Sequence, residues 1–175
     1  LLYNGGAWVN STALDETTAA KDAYIYDDYT VSANVAANNI GINTGNTLII
    51  GASIGLDLNG DLTVNGNVSI NSGGSLIVDG TSTGNVTYNT TLGTENWYLT
   101  SSPVAGETYD NTYVAANSLA INGTNNAIGS YVTADNTWSY MQTGASATFT
   151  PGTGYSVRRA TGAGAGTISF TGTIN

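Results

Sequence analysis

The chain has 175 residues, 41% hydrophobic and only 9% charged, with 12 acids against three bases and a formal net charge of −9. So few cations cannot displace the counterions condensed on nucleic acid or hold an anionic membrane surface, so neither is expected as a partner. With no cysteine and no histidine, disulfides, thiolate or imidazole metal sites and Ser-His-Asp or Cys-His catalysis are excluded.

Residues 1–22 read as an N-terminal strand and loop segment. Leu1-Leu2-Tyr3 and Ala7-Trp8-Val9 are short strands split by Gly5-Gly6, and residues 11–22 form a loop with at most one helical turn. Residues 23–31 are expected as one strand, with Tyr24 and Tyr26 on one face and Ile25 on the other. In such a strand the adjacent Asp27 and Asp28 face opposite ways, which is no carboxylate pair for glycoside cleavage.

Residues 23–91 read as β-solenoid repeats. Apolar groups begin at 40, 48, 54, 62, 68, 76 and 86, each apolar-x-apolar and each followed by a small turn. The leading leucines Leu48, Leu62 and Leu76 lie 14 apart, which suits two walls. The spacings 40→62, 48→68 and 54→76 suit three walls, which leave more width for a core. Asn59-Gly60-Asp61, Asn65-Gly66-Asn67, Gly73-Gly74 and Asp79-Gly80 are expected to turn the corners through positive φ angles. Asp57, Asn59 and Asp61 carry oxygen ligands at alternate positions, as calcium loops do. The later ligands of such a loop are missing, so calcium is the only ion the pattern raises and no cofactor is expected. A polysaccharide lyase needs a basic residue in its cleft. None lies between Asp22 and Val157, so no enzymatic activity and no catalytic residue is expected.

Residues 92–175 read as a β-sandwich-like module. Strands are expected at 97–100, 112–114, 118–121, 130–132, 137–141, 147–150, 155–159 and 167–173, separated by turn signals such as Pro151-Gly152-Thr153-Gly154. Residues 160–166 read as a mobile Gly/Ala loop, and Arg158-Arg159 as one paired and one solvated cation. Glu107 and Asp110 are loop acids. Aromatics at alternate strand positions, Tyr24 with Tyr26 and Trp138 with Tyr140, are candidates for stacking on sugar rings. Several Asn-x-Ser/Thr triplets, Asn10-Ser11-Thr12 among them, match the glycosylation pattern by composition alone.

The run Leu62-Thr63-Val64-Asn65-Gly66-Asn67-Val68, with Gly80 to Tyr88 and then Asn96-Trp97-Tyr98-Leu99-Thr100-Ser101-Ser102-Pro103-Val104, resembles the secreted, adhesin-like surface proteins of Bacteroidota (flavobacteria) that use the type IX secretion system. Asp135-Asn136-Thr137-Trp138, Pro151 to Val157 and the closing Ile168 to Ile174 sit where that module carries similar segments. The resemblance implies an extracellular, cell-surface role in adhesion or structure and transfers no catalytic residue. No apolar run reaches the roughly 20 residues that span a bilayer. With no signal peptide and an end inside a strand-like stretch, the chain reads as a mature piece truncated at its C-terminus.

The expected fold is therefore all-β, a short β-solenoid followed by a β-sandwich-like module. The expected function is that of an extracellular structural or adhesive surface protein, self-associating or filament-forming by strand addition. Its partners would be copies of itself, other surface proteins or glycans. Leu1, Leu2, Tyr3 and Trp8 at one end and Ile168, Phe170 and Ile174 at the other are the candidate self-association residues, because both termini are strand-like with little charge to block pairing. The alternative is a carbohydrate-binding module of a larger secreted protein.

Overall fold

The computed structural model describes residues 1–9 and 13–174. The glycosylation triplet at 10–12 and the final Asn175 lie outside the described residues. The protein is all-β, a β-solenoid of about four turns followed by a β-sandwich-like module. It divides into two compact units, residues 1–89 with 171–175, and residues 90–170.

The first unit opens with a hairpin, β1 (Leu2–Asn4) and β2 (Ala7–Trp8), turned by Gly5 and Gly6 at φ 62° and 76°. The coils then wind in threes. The first holds β3 (Ala23–Ile25), β4 (Tyr29–Val31) and β5 (Val35–Ala37). The second holds β6 (Ile40–Ile42), β7 (Thr47–Ile50) and β8 (Gly55–Leu58). The third holds β9 (Leu62–Val64), β10 (Asn67–Ile70) and β11 (Ser75–Val78). A fourth begins with β12 (Ser82–Thr83) and β13 (Val86–Leu92).

Three walls result, each of parallel strands stacked one coil apart. Ile40 lies on Leu62, Leu48 on Val68 and Leu56 on Leu76. A coil is therefore about 20 residues. The 14-residue interval is not a coil: Leu48, Leu62 and Leu76 stand on three different walls. The 54→76 match is off register, because Leu56, not Ile54, stacks beneath Leu76.

Alternate residues of every wall point inward and form aliphatic ladders. Ile25, Ile42 and Val64 make one, Val31, Ile50 and Ile70 another, and Ala37 and Leu58 a third, all of them buried. The N-terminal strand and loop segment joins this stack. β1 pairs in parallel with β3, and Leu14, 5% exposed, is buried beside the first coil's edge. The stretch 23–31 is two strands rather than one. Asp27 and Asp28 turn the corner between them, and their carboxylates accept from the backbone N–H of Gly6 (2.9 Å) and Thr47 (2.8 Å).

That corner device recurs before each strand of the first wall. Asp22 Oδ1 accepts from the side-chain amides of Asn38 (2.9 Å) and Asn39 (2.8 Å). Asn39 Oδ1 accepts from the Asp61 N–H (2.6 Å), and Asp61 Oδ1 from the N–H and hydroxyl of Thr81 (2.7 and 2.9 Å). Each coil thus supplies an acceptor for the next, which satisfies corner donors that no strand can reach.

The bonds from Thr81, first through its N–H and then through its hydroxyl, hold the Asp61 carboxyl below its ordinary pKa. A depressed folded-state pKa contributes stability above the unfolded value, near 4, and loses it as pH falls through the folded value. Asp61→Asn keeps the acceptor but not the charge. The gap in urea midpoint between parent and Asp61→Asn is expected at pH 7 and should close by about pH 2. A gap that persists unchanged in acid would show that the carboxylate plays no part.

The second unit starts from β14 (Trp97–Thr100), β15 (Thr108–Tyr109) and a six-residue helix, α1 (Asn111–Ala116). The helix replaces the strand expected at 112–114. Asp110 caps it by accepting from the Tyr113 N–H at 2.8 Å, and Tyr113 and Val114 are buried beneath it. Then come β16 (Ile121–Asn122), β17 (Asn125–Val132), β18 (Thr137–Gln142), β19 (Ala147–Thr148), β20 (Tyr155–Arg158) and β21 (Gly166–Gly172). β14, β20, β17, β16 and β18 form one antiparallel sheet, and β15 pairs with β19. Phe149 is the hub of the core, with the rings of Tyr109, Tyr155, Phe170 and Tyr113 at 4.6, 4.8, 5.2 and 5.3 Å. β21 pairs with β13, and its end returns to the first unit, where Thr171 and Thr87 hydroxyls lie 2.9 Å apart.

Most of the residues expected to recruit a second chain are paired or buried within this one, while β2 stands at the edge of its sheet. Leu2 and Tyr3 are paired with β3, and Trp8 with Tyr3. The Leu1 amino group donates to the Asp22 carbonyl at 2.6 Å. Ile168 and Phe170 are fully buried and Ile174 is half-buried. The first coil's other edges are covered too. Asp15 O accepts from the Ala36 N–H (3.0 Å) and the Thr18 hydroxyl donates to Ala36 O (2.6 Å) along β5, while Tyr3, Trp8 and Tyr29 pack ring on ring within 5.3 Å beside β4. Covered edges of this kind block edge-to-edge pairing.

Candidate functional site

Among the described residues, the largest group of exposed apolar side chains lies on one face of the antiparallel sheet of the second unit. Strand alternation sets which residues share that face. On β14, Trp97 and Leu99 point out, 49% and 76% exposed. The register carries the face across the sheet: Trp97 opposes Arg158, Leu99 opposes Ser156, Ser156 opposes Gly129, and Gly129 opposes Tyr140. Two residues further, Tyr131 opposes Trp138, their rings 5.3 Å apart.

Gly129 explains the attitude of Tyr140. A Cβ on Gly129 would lie 2.8 and 2.9 Å from two carbons of the tyrosine ring, so the ring lies over the glycine. It reaches toward Trp97, with centroids 5.5 Å apart and planes inclined by 48°. Beside the two rings opens a cleft of about 480 Å³, lined also by Ile121, Asn122, Asn125 and Arg158. Arg158 donates Nε–H to the Glu95 carbonyl at 2.9 Å, which fixes its guanidinium at the cleft wall. Asn125 Oδ1 accepts from Gln142 at 2.6 Å. Asn126, 1% exposed, leaves its Oδ1 without a protein partner.

The remaining candidates divide. Tyr24 and Tyr26 stand outward on the first wall of the coils, 50% and 49% exposed, with a Tyr24 ring carbon 3.3 Å from where a Gly41 Cβ would stand. They make a smaller platform of the same type. Trp138 and Tyr140 share a face but not a contact: each pairs with a different ring. Asp57, Asn59 and Asp61 do not converge. Asp57 faces out from β8, Asn59 donates to Ala19 O at 3.1 Å, and Asp61 is committed to Thr81. Asp110 is a helix cap, and Glu107 accepts from the Thr108 N–H. Trp97, Leu99, Tyr131 and Arg158 belong to the face but were not assigned to a site from the sequence. Their only signal was the alternation Trp97-x-Leu99. No family model, no curated protein and no solved structure matches the chain.

Proposed function

We propose that this chain is an adhesive module of an extracellular surface protein, in which a capped coil stack serves as a spacer and the aromatic face of the second unit binds glycans. The observation that carries this is the pair of rings, Trp97 exposed and Tyr140 half-buried, held on neighbouring parts of a sheet beside a polar-walled cleft. A pyranose presents axial C–H bonds on one face and hydroxyls at its rim. The C–H face suits the negative face of an aromatic ring. The rim suits the side-chain amides of Asn122 and Asn125. Strand-mounted rings lose little entropy on binding. The surface location and the type IX route belong to the same proposal, on the strength of the resemblance described above. Strand addition through the termini is left out of it, because β1 is paired on both sides and Ile168 and Phe170 are buried.

Binding to a glycan array, then calorimetry on the best hits, tests this. Micromolar affinity is expected, with Trp97→Ala and Gly129→Ala each weakening it about tenfold or more, equivalent to about 1.4 kcal/mol. Gly129→Ala touches no ligand and acts by unseating Tyr140. Binding indifferent to both substitutions, or no binding at all, would overturn the proposal.

A further inference from the structure

We infer that the cleft beside Trp97 is selective for acidic sugars, with Arg158 as the residue that receives a uronate carboxylate. This rests on the glycan-binding proposal and narrows it to a substrate class. Of the three cations in the chain, Lys21 belongs to the other unit, and Arg159 is 8% exposed with its donors on backbone carbonyls. Arg158 is therefore the one cation the second unit offers to a ligand among its described residues. It has no carboxylate partner there. Its single protein bond, Nε to Glu95 O, occupies one donor of five.

The atom used matters. With Nε taken, the side-on approach through Nε and one Nη is closed. The two Nη groups remain, and their paired N–H bonds match the two oxygens of a carboxylate. Trp97 stands directly across from Arg158 in the sheet, so one pyranose can place its C–H face on the indole and a carboxylate on the guanidinium. The Glu95 carboxylate is held through Oε1 by the Gly164 N–H at 2.8 Å and forms no ion pair with Arg158 among the described residues. The rest of the surface is acidic, so an anionic polymer gains attraction here and repulsion elsewhere, which gives selectivity of position.

The test is calorimetry on the full chain with tetragalacturonate, tetramannuronate and tetraglucuronate, each beside its methyl ester, at low and high salt. At least one acid is expected to bind about tenfold tighter than its ester at low salt, and the difference should shrink as salt is raised. Arg158→Gln, its fold certified by an unchanged near-ultraviolet circular dichroism spectrum, should close the gap to within about twofold. Arg158→Lys should recover part of it, because a point charge lacks the fork. If acids and esters bind alike, or if the gap survives Arg158→Gln, the inference falls and Trp97-dependent ester binding leaves the glycan proposal standing. If no acid, ester or array glycan binds, both fall.

Discussion

Gly66→Ala is expected to destabilise the coil stack by about 3 kcal/mol, far more than the same change at Gly45. Both glycines sit in corners, but for different reasons. Gly45 has φ 85° and nothing within 4 Å of a built Cβ. Alanine there meets only the left-handed backbone penalty, about 1 kcal/mol. Gly66 has no positive φ. Its Cβ would stand 2.3 Å from Asn46 O and 2.4 Å from Asn43 O, the carbonyls of the coil beneath. The flanking N–H groups of Asn65 and Asn67 bond Ile42 O and Asn46 O at 3.0 and 2.9 Å. A methyl group therefore wedges two coils apart at the point where their backbones are tied. Urea denaturation followed by far-ultraviolet circular dichroism measures both variants. Equal costs would mean that conformation, not close approach, selects glycine at Gly66.

The same contrast shows what was legible in the sequence. Coil length could be read because inward aliphatics repeat on each wall, and 40→62 and 48→68 are true stacking pairs. Of the expected corner glycines Gly73 does take a positive φ, 82°, but the rest were found for the wrong reason. Gly60, Gly66, Gly74 and Gly80 have no positive φ, and each would drive a Cβ to within 2.2–2.7 Å of an oxygen on the preceding coil. Local turn chemistry does not report a neighbour 20 residues away. The helix at 111–116 escaped because six residues are too few to show a period, and Thr-Tyr-Val has strand composition; the cap at Asp110 was its one sign.

The aromatic face was only half legible. Alternation told that Trp138 and Tyr140 share a side, but not which side meets water. Parity is decided by pairing with distant strands, here β14 with β20 and β20 with β17. Trp97 and Tyr131 look like core residues until that order is known. Arg158 and Arg159 posed the same problem. Among the described residues neither pairs with an acid: one donates to the Glu95 carbonyl at the cleft, the other is enclosed by carbonyls.

Arg159→Met is accordingly expected to cost the second unit about 4 kcal/mol. The guanidinium reaches the carbonyls of Gly164 (3.0 Å), Asn117 (3.4 Å), Thr167 (3.5 Å) and Ala163 (3.5 Å). The loop at 160–166, expected to be mobile, is thereby wrapped on a charge. Gly166 permits it, since a Cβ there would lie 2.4 Å from the guanidinium carbon. Methionine keeps the length and the apolar stem but none of the donors. Each buried hydrogen bond to a charged group contributes about 1.5–3 kcal/mol. Three of the four are long, at 3.4–3.5 Å, and relief of guanidinium desolvation offsets part of the loss. Lysine, with three donors and no fork, should recover about half. Denaturation followed by tryptophan fluorescence gives the stability, and hydrogen exchange at Gly164 shows whether the loop opens with it. A Met variant within about 1 kcal/mol of the parent would mean that the carbonyl cage holds without its cation. Because adjacent strand residues face opposite ways, the two arginines separate cleanly: Arg158→Gln should alter ligand choice at constant stability, and Arg159→Met should alter stability before it alters ligand choice.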